Sequence, residues 1–167
     1  MWKRSILFGV LALLIAVPTA AQSTVFLVRH AERADTQPGA TPAMGADPDL
    51  SEAGRARAES LATMLKDAKI TAIFATEFKR TQQTAAPLAK ALGITVTTVA
   101  SNSTADLLKK IRASKGNVLV VGHSNSVPDV IKGLGVSTPV TIADDEFDNL
   151  FLVSRGSTAS LVRLHYR

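Results

Sequence analysis

Residues 25–31 read VFLVRHA and residues 118–124 read VLVVGHS. Each is a run of β-branched and large apolar residues with no polar alternation, the pattern of a strand buried on both faces, and each run ends in a histidine. Between them the hydrophobic period changes repeatedly. Ser51 to Ala68 places Ala53, Leu61, Met64, Leu65 and Ala68 at helical spacing, with Ser51 as N-cap and Glu52 at the positive helix end. ITAIFA (70–75) reads as a strand. TQQTAAPLAKAL (81–92) reads as a helix closed by Gly93, with Pro87 implying a kink or a late start. ITVTTVA (94–100) is a third strand, STADLLKKIRA (103–113) a helix, NVLVV (117–121) a fourth strand and 127–134 a short helix with Pro128 in its first turn. NLFLVSR and TASLVRLHYR flank a Gly-Ser turn as a hairpin. The expected architecture is an α/β three-layer sandwich: a mostly parallel central sheet, helices on both faces, and a C-terminal edge hairpin. In such sheets ligands bind beyond the carboxyl ends of the strands, where both histidines fall.

Residues 1–21 have a different character. Lys3 and Arg4 precede twelve residues, Ile6 to Val17, that are mostly apolar, and Thr19-Ala20-Ala21 supplies small residues for cleavage. This is the layout of a secretory signal peptide. The run is well short of the roughly 20 residues of a spanning helix, so the expectation is cleavage after Ala21, a periplasmic or secreted product and no membrane association afterwards. The remaining 146 of 167 residues suit a single domain, 22–167. Losing Lys3 and Arg4 lowers the formal charge from +5 to +3. The basic residues are scattered and aromatics are 5% of the chain, which argues against a nucleic-acid surface and leaves a small anion as the expected ligand. The chain has no cysteine, which excludes thiol catalysis and Cys-ligated zinc. Oligomeric state is not encoded in any visible pattern.

Arg29 and His30 leave the first strand together, and Gly122 and His123 leave the fourth. If the two strands are neighbours, the imidazoles converge. Arg80 follows the second strand in ATEFKRTQQTA and can reach the same crevice. Two histidines and two arginines around one cavity fit phosphoryl transfer. Guanidinium forks bind phosphate oxygens in pairs, a neutral histidine can serve as nucleophile, and a carboxylic acid is needed to protonate a leaving alcohol. Ser124 and Asn125 precede a helix whose N-terminus favours anions.

Four segments in order resemble the histidine phosphatase superfamily, which also contains the phosphoglycerate mutases: LVRHAE (27–32), LSEAGRARAESLA (50–62), TEFKRTQQTA (76–85) and VVGHS (120–124). The resemblance implies His30 as the phosphorylated nucleophile, with Arg29, Arg80 and His123 binding the phosphoryl group and no metal or other cofactor. It also implies that Glu32 is not the proton donor. Many members carry that acid in an insertion between the third strand and the next helix, where this chain has only SNSTADLL. Glu77, just after the second strand, is the expected acid, with Asp35 and Asp106 as alternatives. Glu146 and Asp148 read as solvated loop residues, with a place facing the crevice as the alternative for either. The short form resembles small bacterial phosphohistidine phosphatases and exported sugar-phosphate phosphatases.

The leading expectation is therefore a phosphatase that hydrolyses a small phosphorylated substrate through a phosphohistidine at His30. The competing readings are a non-catalytic phosphate- or sugar-phosphate-binding domain, a phosphomutase, and a metal-dependent hydrolase using His30, Glu32, His123 and an aspartate.

Overall fold

A computed structural model describes residues 23–36, 47–156 and 158–166; the segment expected to be a signal peptide, with its expected cleavage site, lies outside them, as do residues 37–46. The chain runs β1 (Ser23–Arg29), α1 (Glu52–Leu65), β2 (Ile70–Ala75), α2 (Lys79–Leu92), β3 (Val96–Thr98), α3 (Thr104–Ala113), β4 (Asn117–Gly122), α4 (Ser126–Gly133), β5 (Asn149–Arg155) and β6 (Ser160–His165). A short 3-10 turn, Ala34–Thr36, follows β1.

The six strands form one sheet in the order β3-β2-β4-β1-β5-β6. β1, β2, β3 and β4 are mutually parallel where they pair, and the β5–β6 hairpin adds antiparallel to β1. Alternate residues of the two opening runs divide between two cores. Phe26, Val28, Leu119 and Val121 pack with Leu61, Leu65 and Leu88 from α1 and α2. Val25, Leu27, Val118 and Val120 pack with Ile111, Val127 and Ile131 from α3 and α4. Helices on both faces explain why neither run alternates. Each fully buried aliphatic side chain contributes about 1.5–3 kcal/mol of transfer free energy.

Several boundaries differ from expectation. α1 stops at Leu65 because Lys69 takes positive φ in the turn to β2. α2 begins two residues earlier than expected and runs through Pro87, so the ring costs it one backbone hydrogen bond without delaying its start. Asp47, in the loop ahead of α1, supplies the missing cap: both carboxylate oxygens accept the Lys79 amide at 3.0 Å. Gly93 closes α2 in the left-handed conformation, φ 65°. β3 shortens to three residues at the sheet edge.

Candidate active site

The parallel register of β1 and β4 places Arg29 opposite Gly122, and the His30 amide donates to the Gly122 carbonyl at 2.9 Å. The next residues on the two strands are therefore side by side. Their imidazole centroids are 5.3 Å apart at an interplanar angle of 64°. Gly122 is required at the turn, since a Cβ there would meet Ser126 Oγ at 2.9 Å and Val127 Cγ2 at 3.1 Å. This close approach lets α4 start directly after His123, where Ser126 Oγ accepts the His123 amide at 2.9 Å. The cleft above these ends encloses about 550 Å³ and is walled by His30, His123, Arg29, Arg80, Ser124 and Asn125, among others. A smaller cavity of about 20 Å³, behind Gly122 between the sheet and helices α3 and α4, has room for a single water.

The hydrogen bonds assign the His30 tautomer. Nδ1 lies 2.8 Å from the Ala31 carbonyl, which can only accept, so Nδ1 carries the proton and Nε2 keeps its lone pair. Burial pushes the His30 pKa down to about 3, with His123, Arg80 and Arg29 adding repulsion against a second proton. His123 Nε2 contacts Thr76 Oγ1 at 3.0 Å, and Thr76 Oγ1 contacts Thr81 Oγ1 at 2.8 Å. The Thr81 hydroxyl is 2.7 Å from the Phe78 carbonyl and donates there. Thr76 therefore donates to Thr81, and His123 donates from Nε2 to Thr76. Burial, and then Arg80, lower the His123 pKa to about 4. Both imidazoles are neutral at neutral pH.

The guanidiniums supply the positive charge. Arg29 Nη1 donates to the Ala143, Asp144 and Glu146 carbonyls at 2.9, 2.9 and 3.2 Å, and its Cζ lies 4.1 Å from the Phe147 ring centroid. Arg80 Cζ lies 4.2 Å over Phe78, and its Nη1 is 3.6 Å from Asp47. The Nε of each is buried and has no partner among the described residues. Burial lowers both arginine pKa values, yet an arginine stays protonated in a protein. Two desolvated Nε–H donors without a hydrogen-bond partner among the described residues suit an incoming anion.

Residues 25–101 match the family model described as histidine phosphatase superfamily, branch 1. The chain resembles the histidine phosphatase superfamily over that segment. Solved structures share the fold across most of both chains. A candidate alpha-ribazole-5'-phosphate phosphatase from Escherichia coli matches with TM-score 0.69 and 16% identity, covering 86% of this chain and 96% of its own. The protein histidine phosphatase SixA, complexed with tungstate, matches with TM-score 0.64 and 18% identity over 85% and 96%. A mycobacterial glucosyl-3-phosphoglycerate phosphatase, in complex with inorganic phosphate, matches with TM-score 0.65 and 16% identity over 85% and 95%. A search of curated proteins by sequence finds no significant match.

The acids expected from the sequence are placed less favourably. Glu77 is exposed, and its two oxygens accept the Ser101 amide at 2.8 Å and the Ser101 hydroxyl at 2.9 Å. Desolvation pushes its pKa up, but hydrogen bonds from its own amide and from Ser101 outweigh it, so the net shift is downward. Both Glu77 oxygens are thus engaged by Ser101. Asp35 is in a two-point ion pair with Arg33 that likewise lowers its pKa. Asp106 lies on the exposed face of α3 beside Lys109 and Lys110, away from the cleft, because it falls in the helix's outward-facing first turn. Glu32 takes a bidentate bond from Arg57 at 2.6 and 2.9 Å. Glu146 pairs with Arg163, and Asp148 with His165.

Sequence reasoning passed over Arg33, Phe78 and Asp144, which also wall the cleft, and Thr76 and Phe147, which touch its residues. Arg33 sits three residues after His30 and could have been found from that proximity. Asp144 and Phe147 arrive through a loop ahead of β5, with no local signal.

Proposed function

We propose that this chain is a metal-independent phosphatase that hydrolyses a phosphomonoester or a phosphohistidine through a covalent phosphohistidine at His30. The observation that carries the reading is the pairing of two neutral imidazoles 5.3 Å apart with two buried guanidinium Nε donors at one strand-end cleft. His30 Nε2 attacks phosphorus as the ester P–O bond breaks, giving the N–P bond and a leaving oxygen that takes a proton. Water then attacks the phosphoryl group, the N–P bond breaks, and His30 is restored. Arg29 and Arg80 balance the charge on the phosphoryl oxygens in both steps. A bound dianion also raises the proton affinity of His123, adding a third cationic donor.

Among the described residues the cleft is open, so water reaches the intermediate, which favours hydrolysis over return of the phosphoryl group to a product. Guanidiniums flank the two histidines where a metal site would need carboxylates. Among the described residues no group of three or more His, Asp or Glu is placed to hold a metal ion. The test is hydrolysis of p-nitrophenyl phosphate in EDTA by the wild type and His30→Ala. The expected result is turnover that survives chelation and falls at least 10³-fold in the variant, on the scale of losing a nucleophile. Loss of activity on chelation would point to a metal hydrolase. Phosphate binding without turnover would point to a binding domain.

We also propose export, on the strength of the charged and apolar layout of residues 1–21. N-terminal sequencing of the protein made in a bacterial host should begin at Gln22; a product still carrying Met1 would reject this.

A further inference from the structure

All 14 aspartates and glutamates fall within the described residues, so every carboxyl that could serve the cleft can be placed. Those near it are committed elsewhere: Glu77 to Ser101, Asp35 to Arg33, and Asp47 to the Lys79 amide and Arg80. The single carboxylate among the residues that wall the cleft is Asp144. It is exposed, and among the described residues no hydrogen bond holds its side chain. Its backbone is nonetheless fixed, because its carbonyl and those of Ala143 and Glu146 all accept from Arg29 Nη1. The Glu146 carboxylate adds a second tie by accepting the Ala143 amide at 2.8 Å. The Asp144 charge is felt at Arg29, the guanidinium beside the nucleophile.

We propose that Asp144 is the acid and base of this site. This inference rests on the phosphatase reading above. In the first half-reaction the Asp144 carboxyl gives its proton to the leaving oxygen as the P–O bond breaks and His30 Nε2 bonds to phosphorus. In the second, the resulting carboxylate takes a proton from the water that attacks phosphorus as the N–P bond breaks. Proton, carboxyl and imidazole all return to their starting states. The loop before β5 thus does the work that the short SNSTADLL connection has no acidic residue placed to do, and Arg29 links the two tasks by binding phosphate and holding the loop that carries the acid.

The experiment compares wild type, Asp144→Asn, Asp144→Glu and Glu77→Gln on two esters, p-nitrophenyl phosphate and glycerol 2-phosphate. The aryl leaving group departs without help, and the alkyl one needs a proton. Asp144→Asn should lose about 100-fold or more in kcat/KM on the alkyl ester, as expected for removing a general acid, and under about fivefold on the aryl ester. Asp144→Glu should recover part of that loss, Glu77→Gln should keep the wild-type ratio between esters, and inhibition by inorganic phosphate should stay within about threefold in all four. Equal loss on both esters, no loss on either, a ratio change in Glu77→Gln instead, or no wild-type turnover of the alkyl ester overturns the role of Asp144 alone. If the wild type fails on the aryl ester, or His30→Ala retains its rate, the phosphatase reading falls and takes this inference with it.

Discussion

At the scale of single residues, the site depends on keeping two imidazoles uncharged beside two guanidiniums. Depressed values near 3 and 4 mean that His30 and His123 lose their protons far below the ordinary range. The neutral, nucleophilic form of His30 thus persists as pH falls through 6.5. An NMR titration of the phosphate-free protein should show neither ring changing charge between pH 5 and 8; a midpoint above 6 for either would contradict the burial argument. Adding phosphate should raise the His123 midpoint. The histidines and Arg29 were legible in the sequence because strand-end residues inherit their place from the strand. Thr76 and Asp144 were not. Thr76 matters through a hydroxyl chain to Thr81 that only the turn into α2 creates, and Asp144 through backbone carbonyls that carry no residue signature at all.

At the scale of elements, α1 is positioned by an absence. A Cβ at Gly54 would lie 2.2 Å from the Glu32 carbonyl oxygen, so the first turn of α1 rests directly on the backbone just beyond His30. Ser51 fastens the same junction, its amide donating to that carbonyl at 2.9 Å and its hydroxyl accepting from the Gly54 amide at 3.0 Å. Gly→Ala inside a helix ordinarily stabilises by about 0.5–1 kcal/mol. Gly54→Ala should instead destabilise by about 1–3 kcal/mol, the scale of overpacking, and should lower kcat/KM because the shift reaches His30. Denaturant unfolding together with aryl phosphate kinetics reads both, and a variant as stable and active as wild type would refute the seating. The helix itself was visible in its period and cap, whereas its exact seat on Glu32 depends on tertiary approach that periodicity does not encode.

At the scale of the whole molecule, the C-terminus locks the beginning. Tyr166 is 1% exposed and packs in the α1–α2 core; its amide donates to Asp148 at 2.9 Å, and its carbonyl accepts from Arg57 at 3.0 Å, the same guanidinium that holds Glu32. The Tyr166 hydroxyl has no partner among the described residues. Tyr166→Ala should cost about 3–5 kcal/mol as a large core truncation, while Tyr166→Phe should be neutral or stabilising because it removes an unpaired buried group. Thermal unfolding of the two variants checks the sign of each, and a strongly destabilised Tyr166→Phe would mean the hydroxyl has a partner.

The strand order has a kinetic consequence. β4 lies between β1 and β2, so the segment through residue 101 that matches the family model contains His30 and Arg80 but has no central strand to join them. During synthesis β1 must wait, unpaired with the β2–β3 pair, until Asn117–Gly122 emerges and inserts. That long-range step closes a loop of about ninety residues, slow on entropic grounds. It also brings in His123. Phosphate binding should therefore appear in the same phase as sheet closure and never ahead of it, which makes the cleft a built-in reporter of folding.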